Sequence, residues 1–256
     1  MSTRSMVNLG LSVCLLMGTA LVGNSQTKKQ SQAKSMAAQA SAEQPLPRGK
    51  KLKEGASQSQ KAAKVFDEIM GTPDKGIPSD LLGKAECVVV FPSVVKGGFI
   101  VAAKAGRGVG SCRTSSGWSA PAFFEIKGGS VGLQIGGSAT DVVLLFMNTE
   151  GLKKLIDSKV ELGGDATIAA GPVGREASAA TDASMSAEIL SYSRSKGLFA
   201  GIALKGSVVS PEKSDMEDTY GSGVSASQVL NASNMRAPSE VQVFANKLGQ
   251  YSSRTK

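Results

Sequence analysis

From Glu86 to Asn148 the chain runs as short, β-branched apolar stretches parted by glycine and serine. That pattern restricts it to a sheet whose backbones approach closely. Glu86–Phe91 (ECVVVF) is a continuous run and reads as a buried strand. Gly98–Ala105 and Gly108–Thr114 read as two further strands joined by a tight turn through Gly106 and Arg107. Ala122–Lys127, Ser130–Gly136 and Asp141–Asn148 continue the series, and Ala187–Ser193 and Leu198–Val209 return to it later. Such even spacing predicts an antiparallel sheet that curls on itself, barrel- or sandwich-like. Thirty glycines and only 5% aromatics suit such a sheet better than a helical bundle.

Amphipathic helices flank the sheet and make the class α+β. Over Ser57–Met70, Ala62, Val65, Phe66, Ile69 and Met70 share one face, while Lys61, Lys64, Asp67 and Glu68 fill the other. Ser57 and Gln60 supply an S-x-x-Q capping box, and Gly71 with Pro73 ends the helix. The apolar face has two destinations: against the helix's own domain, or in a membrane interface fed by nearby basic residues. A short helix is expected near Ser79–Ala85, and another over Thr149–Ser158 capped by Asn148 or Thr149. A last helix spans Ser239–Leu248, with its own S-x-x-Q box at Ser239 and Gln242 and an end at Gly249.

Residues 1–25 read as a secretory signal. Arg4 precedes the apolar run Val7–Val22, and Gly23 and Ser25 offer a small-residue cleavage site, so the exported chain starts near Gln26. Its expected location is the periplasm or the cell exterior. Residues 26–57 are Gln, Ser, Ala and Lys without a periodic stripe, which predicts a flexible basic linker. A domain over 58–232 and a C-terminal helix and tail over 233–256 follow. The formal charge is +8, and it is concentrated in the linker, where Lys28, Lys29, Lys34, Arg48, Lys50, Lys51 and Lys53 face only Glu43 and Glu54 as far as residue 60. A near-neutral body argues against a nucleic-acid partner, whereas a basic tether suits an anionic lipid surface. Export also permits a disulfide between Cys87 and Cys112, but Cys87 opens an apolar run and reads in the first place as a small buried hydrophobe.

No catalytic set is legible. Gly128–Gly132 (GGSVG) matches the nucleophile-elbow pattern, but the chain has no histidine to take the serine proton. Gly106–Gly110 (GRGVG) lacks the remainder of a phosphate loop and reads as a turn. Glu212, Asp215, Glu217 and Asp218 fit no calcium loop and read as a solvated helix end. Neither a metal-ligand set nor a cofactor motif emerges.

Three stretches carry a resemblance. They are LLGKAECVVVFPSVVKGGFIVAAKAGRGVGSCR, GWSAPAFFEIKGGSVGLQIGGSATDVVLLFMN, and LGGDATIAAGPVGREASAATD followed by ILSYSRSKGLFAGIALKGSVV. In this order, from about Val65 to about Tyr220, they resemble the SYLF domain. That family includes a yeast actin-binding module, phosphoinositide-binding eukaryotic proteins and many exported bacterial members. The resemblance implies lipid binding without catalysis, through an N-terminal amphipathic helix that maps onto Ser57–Met70. For an exported bacterial member it implies an anionic phospholipid membrane as partner, with actin a partner by resemblance alone. The rival readings are an envelope structural module that binds another protein and a secreted effector that meets host actin or lipid. Lipid-binding candidates are Lys61, Lys64, Val65, Phe66 and Ile69 on the helix. Lys96, Lys104, Arg107 and Arg113 join them, because headgroup phosphates favour Arg and Lys beside exposed backbone N–H groups. Trp118, within GWSAPAF, reads as a core or turn residue.

Overall fold

The computed structural model describes residues 52–72, 76–98, 101–131, 136–173, 186–195, 198–201 and 204–252. The expected signal segment and most of the expected linker lie outside them. Ten strands make one sheet: β1 (Cys87–Gly98), β2 (Val101–Thr114), β3 (Gly117–Trp118), β4 (Ala122–Val131), β5 (Gly136–Phe146), β6 (Val160–Glu161), β7 (Ile168–Ala170), β8 (Ile189–Ser195), β9 (Leu198–Gly201) and β10 (Ser207–Pro211). Their order is β6-β10-β4-β2-β1-β5-β8-β7, with β3 on β2 and β9 on β8. The α+β class and the curling hold, but β7 pairs with β8 in parallel, so the sheet is mixed rather than wholly antiparallel.

The β-branched runs make the centre. Val88–Phe91 of β1 lie opposite Val142–Leu145 of β5, and all are buried. Each such side chain contributes about 1.5–3 kcal/mol of apolar burial. β1 kinks at Ser93, whose φ of 57° is left-handed and whose N–H is held by Asp141 Oδ1 at 3.0 Å. The register slips there on both sides of the strand.

The expected turn at Gly106-Arg107 is not a turn. β2 runs through it unbroken, because its glycines make room for neighbours instead of bending the chain. A Cβ at Gly108 would stand 2.6 Å from the Val90 carbonyl oxygen and 2.8 Å from Phe91 Cε1. One at Gly110 would stand 2.8 Å from Phe124 Cε2. β4 likewise continues past Lys127 to Val131, so Ser130 and Val131 close one strand and Gly136 opens the next. Leu198–Val209 divides into β9 and β10, the latter entered by a turn with Gly206 at φ 74°.

Six helices are described: α1 (Leu52–Met70), α2 (Ser79–Lys84), α3 (Thr149–Asp157), α4 (Lys213–Tyr220), α5 (Ala226–Asn231) and α6 (Ser239–Tyr251). Asn148 caps α3 through the Gly151 N–H, at 3.0 Å. α1 begins at Leu52, inside the expected linker, so Ser57 is mid-helix and caps nothing. Ser239 is no cap either, since Pro238 precedes it without a side-chain bond. α6 also continues through Gly249, because packing holds its last turn. The Tyr251 ring meets Phe66 edge-on at 5.9 Å, and its hydroxyl donates to Asp67 Oδ1 at 2.8 Å. The capping box actually present is Ser225/Gln228 at the start of α5. Finally, Cys87 and Cys112 are opposed in register on β1 and β2, both buried, and joined by a disulfide. The buried-hydrophobe and disulfide readings therefore apply together.

Candidate functional site

α1 crosses β1 and β2, and an open groove of about 430 Å³ remains beside the crossing. Gln58 and Lys61 of α1 line it, with Ser93 and Val95 of β1, Arg107 of β2, and Glu125 and Lys127 of β4. Lys61 and Lys127 are exposed. Lys127 Nζ pairs with Glu125 Oε1 at 2.7 Å, and Arg107 Nη1 reaches Glu54 Oε2 at 3.3 Å and Asp215 Oδ2 at 3.6 Å. Strand alternation assigns Val95, Ala105, Arg107, Glu125 and Lys127 to this face.

The opposite face of the same strands carries Lys96 and Lys104, directly opposed in register. Lys104 is half-buried, and its ammonium is pushed below the usual lysine range, first by desolvation and then by Lys96. Gly128 sits opposite Lys104 on one side and Ser207 on the other.

The remaining candidates separate from this cluster. Val65, Phe66 and Ile69 are buried, the last two completely, in the packing of α1 against α6 and the sheet. Of the two destinations for the apolar face, the structure shows the docked one, so in this conformation these three side chains offer nothing to a bilayer. Lys64 stays on the exposed face, 3.9 Å from Glu68. Arg113 does not flank an open turn. Its guanidinium donates to the carbonyls of Leu82, Ala85 and Ser252 and to Ser252 Oγ, at 2.8–3.3 Å, and stacks 4.2 Å from the Trp118 ring centroid. It is a brace between elements.

The acidic group is a solvated helix end only in part: Glu217 is exposed on α4, whereas Glu212 and Asp215 are engaged. Glu212 caps α4, accepting from Ser214 N and Asp215 N, and Asp215 is buried at 3% exposure. Desolvation first, and Glu212 next, raise the Asp215 carboxyl to about 6 despite Arg107. Among the described residues no three His, Cys, Asp or Glu converge as a metal site. Gly128–Val131 of the GGSVG stretch are strand, not a strand-to-helix elbow.

A family model, Ysc84, described as "Las17-binding protein actin regulator", matches residues 127–251. LAS seventeen-binding protein 3 of Saccharomyces cerevisiae is 33% identical over 207 residues, which is 77% of this chain and 43% of that protein. SH3 domain-containing YSC84-like protein 1 is 36% identical over 172 residues in Xenopus laevis, 64% of this chain and 51% of that protein. The human protein of the same name is 34% identical over 181 residues, 68% and 53%. This chain belongs to the Ysc84 family. The match agrees with the SYLF resemblance, and the chain spans about half the length of the curated relatives it matches.

The fold of this Ysc84 domain also sets residues in places that the sequence pattern did not mark. Lys127 was visible only as a polar residue at a strand end, yet it completes the basic lining of the groove. Ser207 gave no signal at all, because its place opposite Gly128 depends on β10 pairing with β4. Asp215 was seen, but its burial requires α4 to pack beside α1.

Proposed function

We propose that this Ysc84 domain is a non-enzymatic module that binds anionic phospholipid surfaces, in an exported form beginning near Gln26. The observation that supports this reading is a cationic rim around one end of the sheet. Lys61, Arg107 and Lys127 stand on one face, with Lys96 and Lys104 on the other. Each basic group near an anionic membrane contributes about 1 kcal/mol, screened by salt. This differs from the mode that the resemblance implies, because the apolar face of α1 is already buried in the domain. Binding is then electrostatic, with the basic linker adding to it.

The test is flotation of residues 26–256 with phosphatidylglycerol-rich vesicles. The wild-type chain is expected to float at low salt and to release at high salt, and Lys61→Gln, Lys96→Gln, Lys104→Gln and Lys127→Gln combined should abolish flotation at low salt. A wild-type chain that ignores these vesicles at low salt overturns the proposal. The family's description favours a second reading, a contact with actin or an actin-like filament. Co-sedimentation with filamentous actin, without vesicles, would support that reading.

A further inference from the structure

The two halves of α1 are held by different means. Val65, Phe66 and Ile69 anchor the C-terminal half, while Asp67 and Glu68 add ion pairs to Lys247 of α6 and Arg194 of β8. Over Leu52–Gln60 the buried residues are Gly55 and Ser59, one turn apart on one face. That face meets α4 and β4 without a side chain between them: a Cβ at Gly55 would stand 2.7 Å from Thr219 Oγ1 and 2.8 Å from Phe123 Cζ. Contact closes this seam, but hydrogen bonds do not. Ser59 Oγ, Thr219 Oγ1 and Asp215 Oδ2 are buried with no hydrogen-bond partner among the described residues. Asp215 Oδ2 meets the Arg107 guanidinium at 3.6 Å, in an ion pair that Arg107 shares with the exposed Glu54. Buried polar atoms are almost always bonded, so the N-terminal half is the weak half of the docking.

We infer that the N-terminal half of α1 is a proton-operated strap, which closes on α4 when Asp215 is protonated and lifts when Asp215 is charged, opening the groove on the side that Gln58 lines. The charged groups facing Asp215 come from three elements. Arg107 of β2 favours its charged form, while Glu212 of α4 and Glu54 of α1 oppose it, and β4 meets the seam with the apolar Phe123. Desolvation is the first cause, and together these groups raise the carboxyl from 3.8 to about 6 while the strap is closed. Lifting wets the carboxyl and returns it toward its ordinary value. The closed strap therefore binds the proton more tightly, so closure is strongest below about pH 4 and is lost as pH rises through about 6. Lifting also takes Glu54 from Arg107 and Gln58 from the groove wall, so the groove gains width and a less neutralised cation. The strap does not depend on what the groove binds.

Amide hydrogen exchange on residues 26–256, corrected for the intrinsic pH dependence of exchange, tests this between pH 4.5 and pH 7.5. In the wild-type chain, protection over Leu52–Ser59 should fall relative to Val65–Met70 and to Val88–Phe91 of β1. The limit of that fall is about 30-fold, set by the full shift from 3.8 to about 6. In Asp215→Asn the ratio should stay flat across the range. Asp215→Ala should be equally flat, which separates loss of the carboxyl from any bond made by the new amide. An equal fall over all three segments makes Asp215 a determinant of global stability alone and overturns the strap. A ratio that does not move in the wild-type chain, or that moves as much in both variants, overturns it as well. Vesicle binding has no part in the readout, so the strap and the membrane reading stand or fall separately.

Discussion

The guanidinium of Arg113 lies 4.2 Å from the centroid of the Trp118 ring, and Trp118 is the only tryptophan of the chain. The same group bonds the end of α2 through Leu82 and Ala85, and the end of α6 through Ser252. A planar fork is needed to satisfy these acceptors while stacking, and an ammonium cannot do both. Arg113→Lys should therefore destabilise the domain by about 2–3 kcal/mol. Denaturant unfolding followed by tryptophan fluorescence reads this directly, with a lower midpoint and an altered native emission. A midpoint equal to wild type would show that the brace carries no weight.

Asp215 sets a pH dependence of stability. Its carboxyl rises from an ordinary 3.8 to about 6 in the folded chain, mainly through desolvation. A group that holds its proton more tightly when folded favours folding at low pH, and that contribution is lost as pH rises from about 4 to about 6. Asp215→Asn should flatten the dependence in this window and raise stability at pH 7.5 by on the order of 2 kcal/mol. Melting temperatures measured between pH 4 and pH 8 are the check. If Asp215→Asn melts lower at pH 7.5, the ion pair with Arg107 outweighs the desolvation.

Phe66 separates a docked helix from an inserting one. The side chain is completely buried and meets Tyr251 edge-on, so Phe66→Ala should lower stability by about 3–5 kcal/mol. Vesicle flotation of the remaining folded protein should match wild type. Lost flotation at an unchanged melting temperature would return the apolar face of α1 to the membrane.

Much of the fold was readable because Cys87–Phe91 of β1 and Val142–Phe146 of β5 are buried on both faces, so CVVVF and VVLLF had to be apolar throughout. Glycine misled where it was read as punctuation. In β2 its role is to admit the Val90 carbonyl and the rings of Phe91 and Phe124, and a sequence does not show which strand supplies those groups. Local capping patterns misled in the same way. Ser57-x-x-Gln60 is overruled because α1 extends back to Leu52, and Gly249 because Tyr251 finds Asp67, 184 positions earlier. The site was half legible. Basic residues beside glycines were the right type, yet Arg113 turned inward and Lys127 went unnoticed, because strand register decides which face each one joins.

The Cys87–Cys112 bond ties the β1–β2 ladder at the end where the chain does not. Gly98 pairs with Ala102 at the end where the chain joins the two strands, and Cys87 pairs with Cys112 at the other, so the disulfide turns the pair into a covalent ring closed at both ends. Lys96 and Lys104 lie inside that ring. Reduction would leave the strands free to separate from Cys87 and Cys112 inward, whereas oxidation blocks fraying from that end. Two like charges held within a covalent ring keep their spacing even when the strands around them loosen.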